Sequence, residues 1–412
     1  MKPATFLWKD DRSVLVYDTE ELSCEVFKRG KVLDEITDRL SETDNLYCIE
    51  LTSADIEADE LHYFISTISQ SGSGGLLEKA KYPNGKPAFL KPILSIQESY
   101  EHKKKYEELH WEDNYLDNLL GLNLYLDGKA ENGINYRQFP YPHYIEQKLT
   151  VKPVLKLLEK VRYSSCFSIG IISNFSEDFP GFTDLMNSLD TISALKIFYC
   201  KPDALGENSY LLSAIGQGQF RAVVYLDEDT REYDVFGLSK RLSHLSGSLE
   251  FKFLLSDNMG LKKNNQFKQL LKGFEFKTIP VYNGTNLTFF KENVFLTKED
   301  VLRTKLKKRQ IFARQAMNVK DFGGLSVFPD GMVYANVNNP ALGRIEDGLL
   351  KLIRQEFENG ESWFKTREKV GPCKDCVFKY LCPPVSNYEY VMGRYNLCHL
   401  KVRDRTVTEA LV

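Results

Sequence analysis

Four cysteines in the last part of the chain have a spacing that suits metal binding. Cys373 and Cys376 form a Cys-x2-Cys pair, Cys382 follows after five residues, and Cys398 follows after fifteen more. Such a pair presents two thiolates to one metal centre, and two further thiolates complete the ligand set of Zn²⁺ or of an iron–sulfur cluster. Four sulfur ligands favour these metals over harder cations. Because both accept four cysteines, the spacing alone leaves Zn²⁺ and [4Fe–4S] open.

The remaining cysteines suggest a reducing compartment. Each stands alone in an apolar run, as buried free thiols do: Cys24, Cys48, Cys166 and Cys200. A cluster of thiols beside isolated ones is typical of metal binding in the cytoplasm rather than of a disulfide framework. No stretch approaches the roughly 20 apolar residues that span a bilayer, and the charged residues 9–12 interrupt any signal-peptide core. We therefore expect a cytoplasmic protein without a membrane partner.

The length and net charge of the chain limit the number of domains and the kinds of partner that we expect. A chain of 412 residues is too long for one ordinary core and is expected to form two or three domains. The net charge of −3 gives no general attraction to nucleic acid. Hydrophobic and charged contents of 42% and 27% are those of a soluble globular protein.

Residues 1–80 are predicted to form a small winged-helix module. Three short β-like runs, Phe6–Lys9, Val14–Tyr17 and Cys24–Lys28, precede two amphipathic helical patterns. The second of these helices, predicted at Asp59–Ser69, contains no Lys or Arg. It therefore lacks the phosphate contacts on which DNA affinity depends, and no nucleic-acid partner is expected.

The middle of the chain has the pattern of a parallel α/β domain. Six apolar runs are strand candidates: Leu122–Leu126, Phe167–Ile172, Leu195–Tyr199, Ala222–Leu226, Phe251–Leu255 and Thr278–Tyr282. They alternate with amphipathic helical patterns, which predicts a parallel sheet covered by helices. We predict an open (β/α)6 partial barrel over residues 119–315, reached through a connector at 81–118 that includes a charged helical piece, Glu98–Glu108. Residues 316–412 form the last domain, with a hairpin-like stretch at Ser326–Val337 before the cysteines.

The segment Gly331–Cys398 resembles a SPASM domain, the C-terminal extension of radical SAM peptide maturases. The run Cys-Lys-Asp-Cys-Val-Phe-Lys-Tyr-Leu-Cys-Pro-Pro, which begins at Cys373, carries most of the resemblance. Such domains hold two auxiliary [4Fe–4S] clusters. The resemblance implies that the four cysteines are the complete ligand set of the second cluster, and that the first is missing. Asn336 and Ser386 stand where cysteines are expected for it.

The catalytic motif of that family is absent from the sequence. A radical SAM enzyme carries Cys-x3-Cys-x2-Cys after its first barrel strand, whereas this chain has no cysteine between Cys48 and Cys166. The Gly-Gly-Glu expected after the second strand is replaced by Ser173–Glu177. The resemblance therefore implies a bacterial pseudo-radical-SAM protein of double-glycine leader peptide systems. Such a protein binds no S-adenosylmethionine, is not an enzyme, and accompanies an active radical SAM maturase.

Residues 1–80 are also similar in layout to a RiPP recognition element, the module that binds the leader of a ribosomally made precursor peptide. Such modules add the leader as an extra strand beside their third strand. The predicted peptide-binding residues lie on that strand: Cys24, Glu25, Val26, Phe27, Lys28 and Arg29. The alternative is a module that only packs on the barrel.

Two other functions remain as alternatives. One is an enzyme with different chemistry at the barrel mouth, where the candidates are Asp127, Glu177, Asp178 and Asp227. The other is an electron-transfer partner that uses the retained cluster. The aromatic segment Tyr136–His143, which replaces the catalytic loop, is predicted to line a peptide groove or to plug the core.

Overall fold

The structure, a computed structural model, describes residues 1–83, 85–94, 115–127, 137–142, 147–174 and 179–400. The predicted helical piece Glu98–Glu108 lies outside these residues, as does most of the segment from 127 to 146. Across the described residues, no helix is both long and apolar enough to cross a membrane.

The chain opens with a three-stranded antiparallel sheet. Its strands are β1 (Thr5–Lys9), β2 (Ser13–Asp18) and β3 (Ser23–Lys28), paired in chain order. Three helices follow: α1 (Lys31–Ser41), α2 (Ser53–Glu57) and α3 (Asp59–Gln70). Alternate strand residues such as Val14, Val16 and Phe27 pack against α1 and α3. The strands and the two longer helices lie where the sequence predicts them, and the assignment as a winged helix stays a prediction.

The second sheet is the large parallel sheet of a mixed α/β protein. All six predicted strands are present and pair in chain order: β4 (Gly121–Tyr125), β5 (Ser168–Ile172), β6 (Leu195–Cys200), β7 (Phe220–Leu226), β8 (Leu249–Leu255) and β9 (Glu275–Pro280). Their neighbours are parallel throughout. Each strand places alternate side chains, such as Leu122 and Leu124, in the main core under the helices.

The helices that follow β4 have between 5 and 11 residues. They are Val151–Val161, Phe182–Asp190, Pro202–Glu207, Ser209–Gly216, Glu232–Arg241, Leu261–Leu270, Leu287–Asn293, Lys298–Leu302, Lys308–Ala316, Leu349–Asn359 and Asn387–Met392. The helix Val151–Val161 matches its predicted bounds. It buries Val154, Leu157 and Leu158, as its 3.6-residue period requires.

The sheet is larger than the six strands predicted. The predicted hairpin is present as β10 (Gly324–Val327) and β11 (Met332–Tyr334), but β10 also pairs in parallel with β4. A third short strand, β12 (Gly343–Arg344), completes a nine-stranded sheet. The physical reason is that β4 would otherwise expose an unpaired edge. The last hundred residues therefore extend the large sheet, while the predicted partial barrel and domain limits stay predictions.

The N-terminal sheet packs on the C-terminal part of the chain. Phe6, Leu15 and Tyr17 share one buried cluster with apolar residues of the C-terminal part: Val301, Leu306, Ile311, Val377, Phe378, Tyr380 and Leu381. The Tyr17 hydroxyl donates to the Leu306 carbonyl at 2.9 Å and accepts from the Leu306 N–H at 2.6 Å. One face of the N-terminal sheet is therefore covered by the region that contains the cysteines.

Candidate functional site

The outer edge of β3 is the first candidate site. The Arg29 N–H donates to the Arg12 carbonyl at 2.9 Å, and the register pairs Phe27 with Val14 and Val26 with Leu15. Because hydrogen-bonded pairs alternate along an antiparallel ladder, Phe27 bonds to β2 and Val26 does not. The backbone N–H and C=O groups of Val26 therefore point away from β2. In the described part of the chain, no strand lies on that side.

The same register divides the six predicted peptide-binding residues into two sets. Cys24, Val26 and Lys28 direct their backbone groups to the open edge, whereas Glu25, Phe27 and Arg29 direct theirs to β2. The side chain of Arg29 is also engaged, since its Nε lies 2.8 Å from Asp34 Oδ1. Three of the six residues can thus offer main-chain hydrogen bonds to an added strand.

Helix α3 lies beside this edge and adds an exposed aromatic ring. The rings of Phe27 and Phe64 are 4.9 Å apart, which fixes α3 against β3. The ring of Tyr63 is 5.9 Å from that of Phe27, although Tyr63 is 64% exposed. A strand added to β3 would therefore run past an aromatic side chain that can cover its apolar residues.

The cysteine segment is the second candidate site, and its backbone forms tight turns. The Cys376 N–H donates to the Cys373 carbonyl at 3.0 Å, and the Cys382 N–H donates to the Phe378 carbonyl at 3.0 Å. Cys398 lies outside these turns and forms an isolated parallel β-bridge with Leu296. The turns hold Cys373, Cys376 and Cys382 within ten residues of the chain, and Cys398 follows sixteen residues after Cys382.

The four thiols lie within the range of one another's charge. The pKa of Cys376 is raised to about 12, mainly by burial and in smaller part by the charges of Cys373 and Cys398. Burial likewise raises the pKa of Cys382, with further contributions from the same two cysteines and Cys376. Among the described residues, however, no three side chains of His, Cys, Asp or Glu are close enough to hold one ion. The predicted ligands share one region, but they are not closed around a single ion.

A buried arginine that no sequence pattern singles out organises this region. The Arg367 guanidinium forms an ion pair with Glu389, whose side chain is 1% exposed, and also lies 3.7 Å from Cys373 Sγ. Its nitrogen atoms donate to the carbonyl oxygens of three residues: Pro383 at 2.8 Å, Pro384 at 3.2 Å and Tyr395 at 2.7 Å. One side chain thus ties together the turns on both sides of the cysteines.

We expect Arg367→Met to destabilise the protein by about 3–5 kcal/mol, because it leaves Glu389 buried without a cation. Lys369→Met is the matched control, because Lys369 is an exposed residue two positions after Arg367 and the change removes the same charge. Its free energy of unfolding should stay within about 0.5 kcal/mol of the parent value. Urea denaturation of the two variants and the parent measures both effects. Equal midpoints for all three would show that Arg367 does not organise the segment.

A buried polar network stands where the resemblance would place the first cluster. Asn336 Nδ2 donates to Asp321 Oδ2 at 3.0 Å and to Asn387 Oδ1 at 2.8 Å. Burial raises the pKa of Asp321 to about 6. Ser386 donates its N–H to Glu389 Oε2 at 2.8 Å and so caps the helix Asn387–Met392. Both residues that replace cysteines therefore have hydrogen-bonding roles of their own.

The aromatic segment fills the face of the large sheet that the helices leave free. Tyr141 is 3% exposed and packs its ring 5.1 Å from that of Tyr225, while the ring of Phe139 stacks on Tyr225 at 5.6 Å. Gln138 anchors the segment: it donates to the Tyr282 carbonyl at 2.7 Å and accepts from the Tyr282 N–H at 2.8 Å. Of the two predicted roles, residues 137–142 act as a plug, and Tyr136 and His143 lie outside the described residues.

Of the four acidic residues considered for a different enzyme chemistry, two accept hydrogen bonds from neighbouring residues and two lie outside the described residues. Asp127 accepts hydrogen bonds from the Ser173 hydroxyl and from the Asn174 N–H. Asp227 Oδ1 accepts from the Thr230 N–H at 2.9 Å and from the Thr230 hydroxyl at 2.6 Å. Asp127 thus links the ends of β4 and β5, and Asp227 stabilises the turn that follows β7. Glu177 and Asp178 lie outside the described residues.

Comparisons with known proteins add solved structures of similar overall layout. No family model and no curated protein matches the chain. The chain is similar to Streptococcus suis SuiB bound to its precursor peptide SuiA, with 10% identity, a TM-score of 0.44, and coverage of 96% of this chain and 97% of SuiB. The structure of SuiB bound to S-adenosylmethionine gives the same identity and coverage with a TM-score of 0.38.

A third solved structure covers less of the chain. It is that of anSMEcpe with bound AdoMet, with 13% identity, a TM-score of 0.42, and coverage of 64% of this chain and 87% of anSMEcpe. The class that the fold itself defines is a mixed α/β protein with a large parallel sheet and a separate three-stranded sheet at its start.

Proposed function

We propose that this chain is a catalytically inactive relative of radical SAM peptide maturases that binds the leader of a precursor peptide and assists an active maturase. It would bind no S-adenosylmethionine, and its four C-terminal cysteines would hold one [4Fe–4S] cluster. The observation that carries the proposal is the open edge of β3.

That edge has the chemistry of a strand-addition site. The backbone groups of Cys24, Val26 and Lys28 face outward, and no described strand pairs with them. Main-chain hydrogen bonds provide affinity in this binding mode, and neighbouring side chains provide selectivity. Here the exposed ring of Tyr63 on α3 would supply an apolar contact for the leader.

Two observations support the absence of catalysis by S-adenosylmethionine cleavage. The sequence has no cysteine between Cys48 and Cys166, so a cluster after β4 would have no thiolate ligands. In addition, Phe139 and Tyr141 fill the free face of the sheet beside Tyr225. This packing covers that face of the sheet with the chain's own aromatic side chains.

Our choice of a [4Fe–4S] cluster over a single zinc ion rests on the resemblance of the four cysteines to the ligand set of an auxiliary cluster. Zn²⁺ holds its four thiolates at about 2.3 Å from one centre, which requires close contact between the sulfur atoms. A [4Fe–4S] cluster places an iron atom between each thiolate and the core, so its ligands stand further apart. The cation of Arg367 near Cys373 would offset part of the negative charge of either site.

Anaerobic incubation with a strong reductant and S-adenosylmethionine should yield no 5′-deoxyadenosine above a protein-free control. The physical reason is the missing thiolate set, without which no iron atom can be held near the cofactor. Chromatography of the quenched mixture measures the product, and an active maturase assayed in parallel verifies the conditions. Turnover by the chain alone would overturn the proposed inactivity while leaving the β3 site to be tested separately.

A further inference from the structure

A groove on the outside of the large sheet is separate from both candidate sites. It has a volume of about 660 Å³ and lies between the helix Val151–Val161 and the start of the helix Leu349–Asn359. Its size is within the range of about 300–1,000 Å³ that is usual for binding clefts. Leu157 and Ile345 are buried at its walls, whereas Leu350 is 41% exposed.

Three lysines form a stripe along one wall of this groove. Lys152, Lys156 and Lys160 are spaced i, i+4, i+8 on the helix, so they lie on one face and span about 12 Å. All three are exposed. Within the described ranges, none of them forms an ion pair or a side-chain hydrogen bond with another residue, so their charges are available to a partner.

The opposite wall does not neutralise this stripe. Asp347 is engaged by Lys351, whose Nζ lies 2.8 Å from Asp347 Oδ1, and it also accepts from the Arg344 N–H at 2.8 Å. Glu346 lies 3.6 Å from the Arg344 guanidinium. Next to these residues, the helix Leu349–Asn359 begins at Gly348 without a side-chain cap, so its positive end adds to the potential.

We propose that this groove is the docking site for an acidic amphipathic helix of a protein partner. Its apolar walls would bury the partner's aliphatic stripe, and the lysine stripe would face a row of carboxylates. Lysines at i, i+4 and i+8 rise about 6 Å per step, which matches carboxylates placed one helical turn apart. This inference goes beyond leader binding at β3, because it names a second surface and a different partner chemistry.

The composition of the groove favours a protein over other polyanions. Nucleic acid and anionic lipid headgroups would contact only the lysine stripe and would leave the apolar walls of the groove uncovered. An exposed Leu350 and the apolar walls would add nothing to phosphate contacts. A helix with one acidic and one apolar side satisfies both walls at once.

The test uses the full chain and a fluorescent synthetic helix of about 18 residues with Glu every fourth position beside a Leu stripe. Anisotropy titration should show binding, and K152E/K156E/K160E should weaken it by about tenfold or more at low salt. K262E/K268E/K272E is the matched control, because it reverses three exposed lysines at and just beyond another barrel helix and should leave the affinity unchanged.

Further measurements distinguish an acidic helix from the other molecules that could bind in the groove. A peptide of the same composition with its Leu and Glu positions scrambled should bind at least about fivefold more weakly, because the apolar walls need a continuous stripe. Equal binding by the two lysine variants, or by the two peptides, would overturn the proposal. So would a lysine-dependent affinity for duplex DNA or anionic vesicles that exceeds that for the helix, or a dimer of the parent chain that K152E/K156E/K160E converts to a monomer.

Discussion

Replacing Val26 by proline is expected to weaken binding of a double-glycine leader peptide by about tenfold or more without unfolding the N-terminal sheet. The Val26 N–H faces the open edge, so proline removes a donor that an added strand would use and leaves the bonds to β2 in place. The residue before it, Glu25, is already extended and tolerates a following proline. The leader would lose one main-chain hydrogen bond to β3, and the proline ring would keep it from approaching the strand closely. Together these losses correspond to at least about 1.4 kcal/mol of binding free energy, or a tenfold weaker affinity.

Three controls isolate the main-chain effect. Val26→Ala shortens the side chain but keeps the N–H, and should bind nearly as tightly as the parent. Phe27→Pro should instead unfold the module, because its N–H bonds to β2 and its side chain is 4% exposed. Tyr63→Ala tests the exposed ring on α3. Anisotropy with a labelled leader measures binding, and equal affinities for Val26→Pro and the parent would rule out strand addition at β3.

Deleting residues 1–80 is a poor test of the same site. The deletion would expose apolar residues of the C-terminal part, such as Val301, Ile311 and Leu381, which share a core with the N-terminal sheet. Loss of binding would then report general damage as readily as loss of the site. The point substitutions avoid this ambiguity.

Changing Cys376 to Ser is expected to remove the bound metal and to disorder the C-terminal segment. The turns at Cys373–Cys382 contain one short 3₁₀ turn, Cys373–Asp375, and no other regular secondary structure. Metal binding would therefore supply much of the free energy that holds these turns together, as structural zinc does with about 10–16 kcal/mol. We expect the parent, purified anaerobically, to contain about four irons and four sulfides per chain. The variant should lack both and should unfold at a lower temperature.

Cys48→Ser is the matched control, because Cys48 is a free thiol far from the segment in sequence and should leave the metal content unchanged. One zinc per chain without sulfide would refute the cluster while keeping the four ligands. If the purified parent contains no metal and melts at the same temperature as Cys376→Ser, the metal site is refuted altogether. Because the Val377 N–H donates to Asp10 Oδ2 at 3.2 Å, we also expect Cys376→Ser to weaken leader binding somewhat.

The strands and most helices could be predicted because their apolar periodicity is local. The six strands β4 to β9 are short apolar runs, and helices such as Val151–Val161 show a clear 3.6-residue period. The choice of β3 as the binding edge came from the resemblance of residues 1–80 to a RiPP recognition element. Which amides face outward did not, because a register shift of one residue reverses them without changing the composition.

Other features depend on contacts between distant parts of the chain. The pairing of β10 with β4 joins residues about 200 positions apart, and neither run carries a signal for the other. Arg367 could not be selected from the sequence, because arginine is usually exposed and only the fold shows it at 8% exposure beside Glu389. The plug formed by Phe139 and Tyr141 was one of two predicted roles, and its burial decides between them.

The shared core of the two ends also has a consequence during synthesis. Tyr17 bonds to Leu306, a residue made 289 positions later. At a translation rate of roughly 5–20 residues per second, the apolar face that carries Phe6, Leu15 and Tyr17 stays uncovered for about 15–60 s after it leaves the ribosome. During that interval the nascent sheet exposes both this face and the open edge of β3, so the growing chain is a substrate for chaperones until its cysteine region emerges.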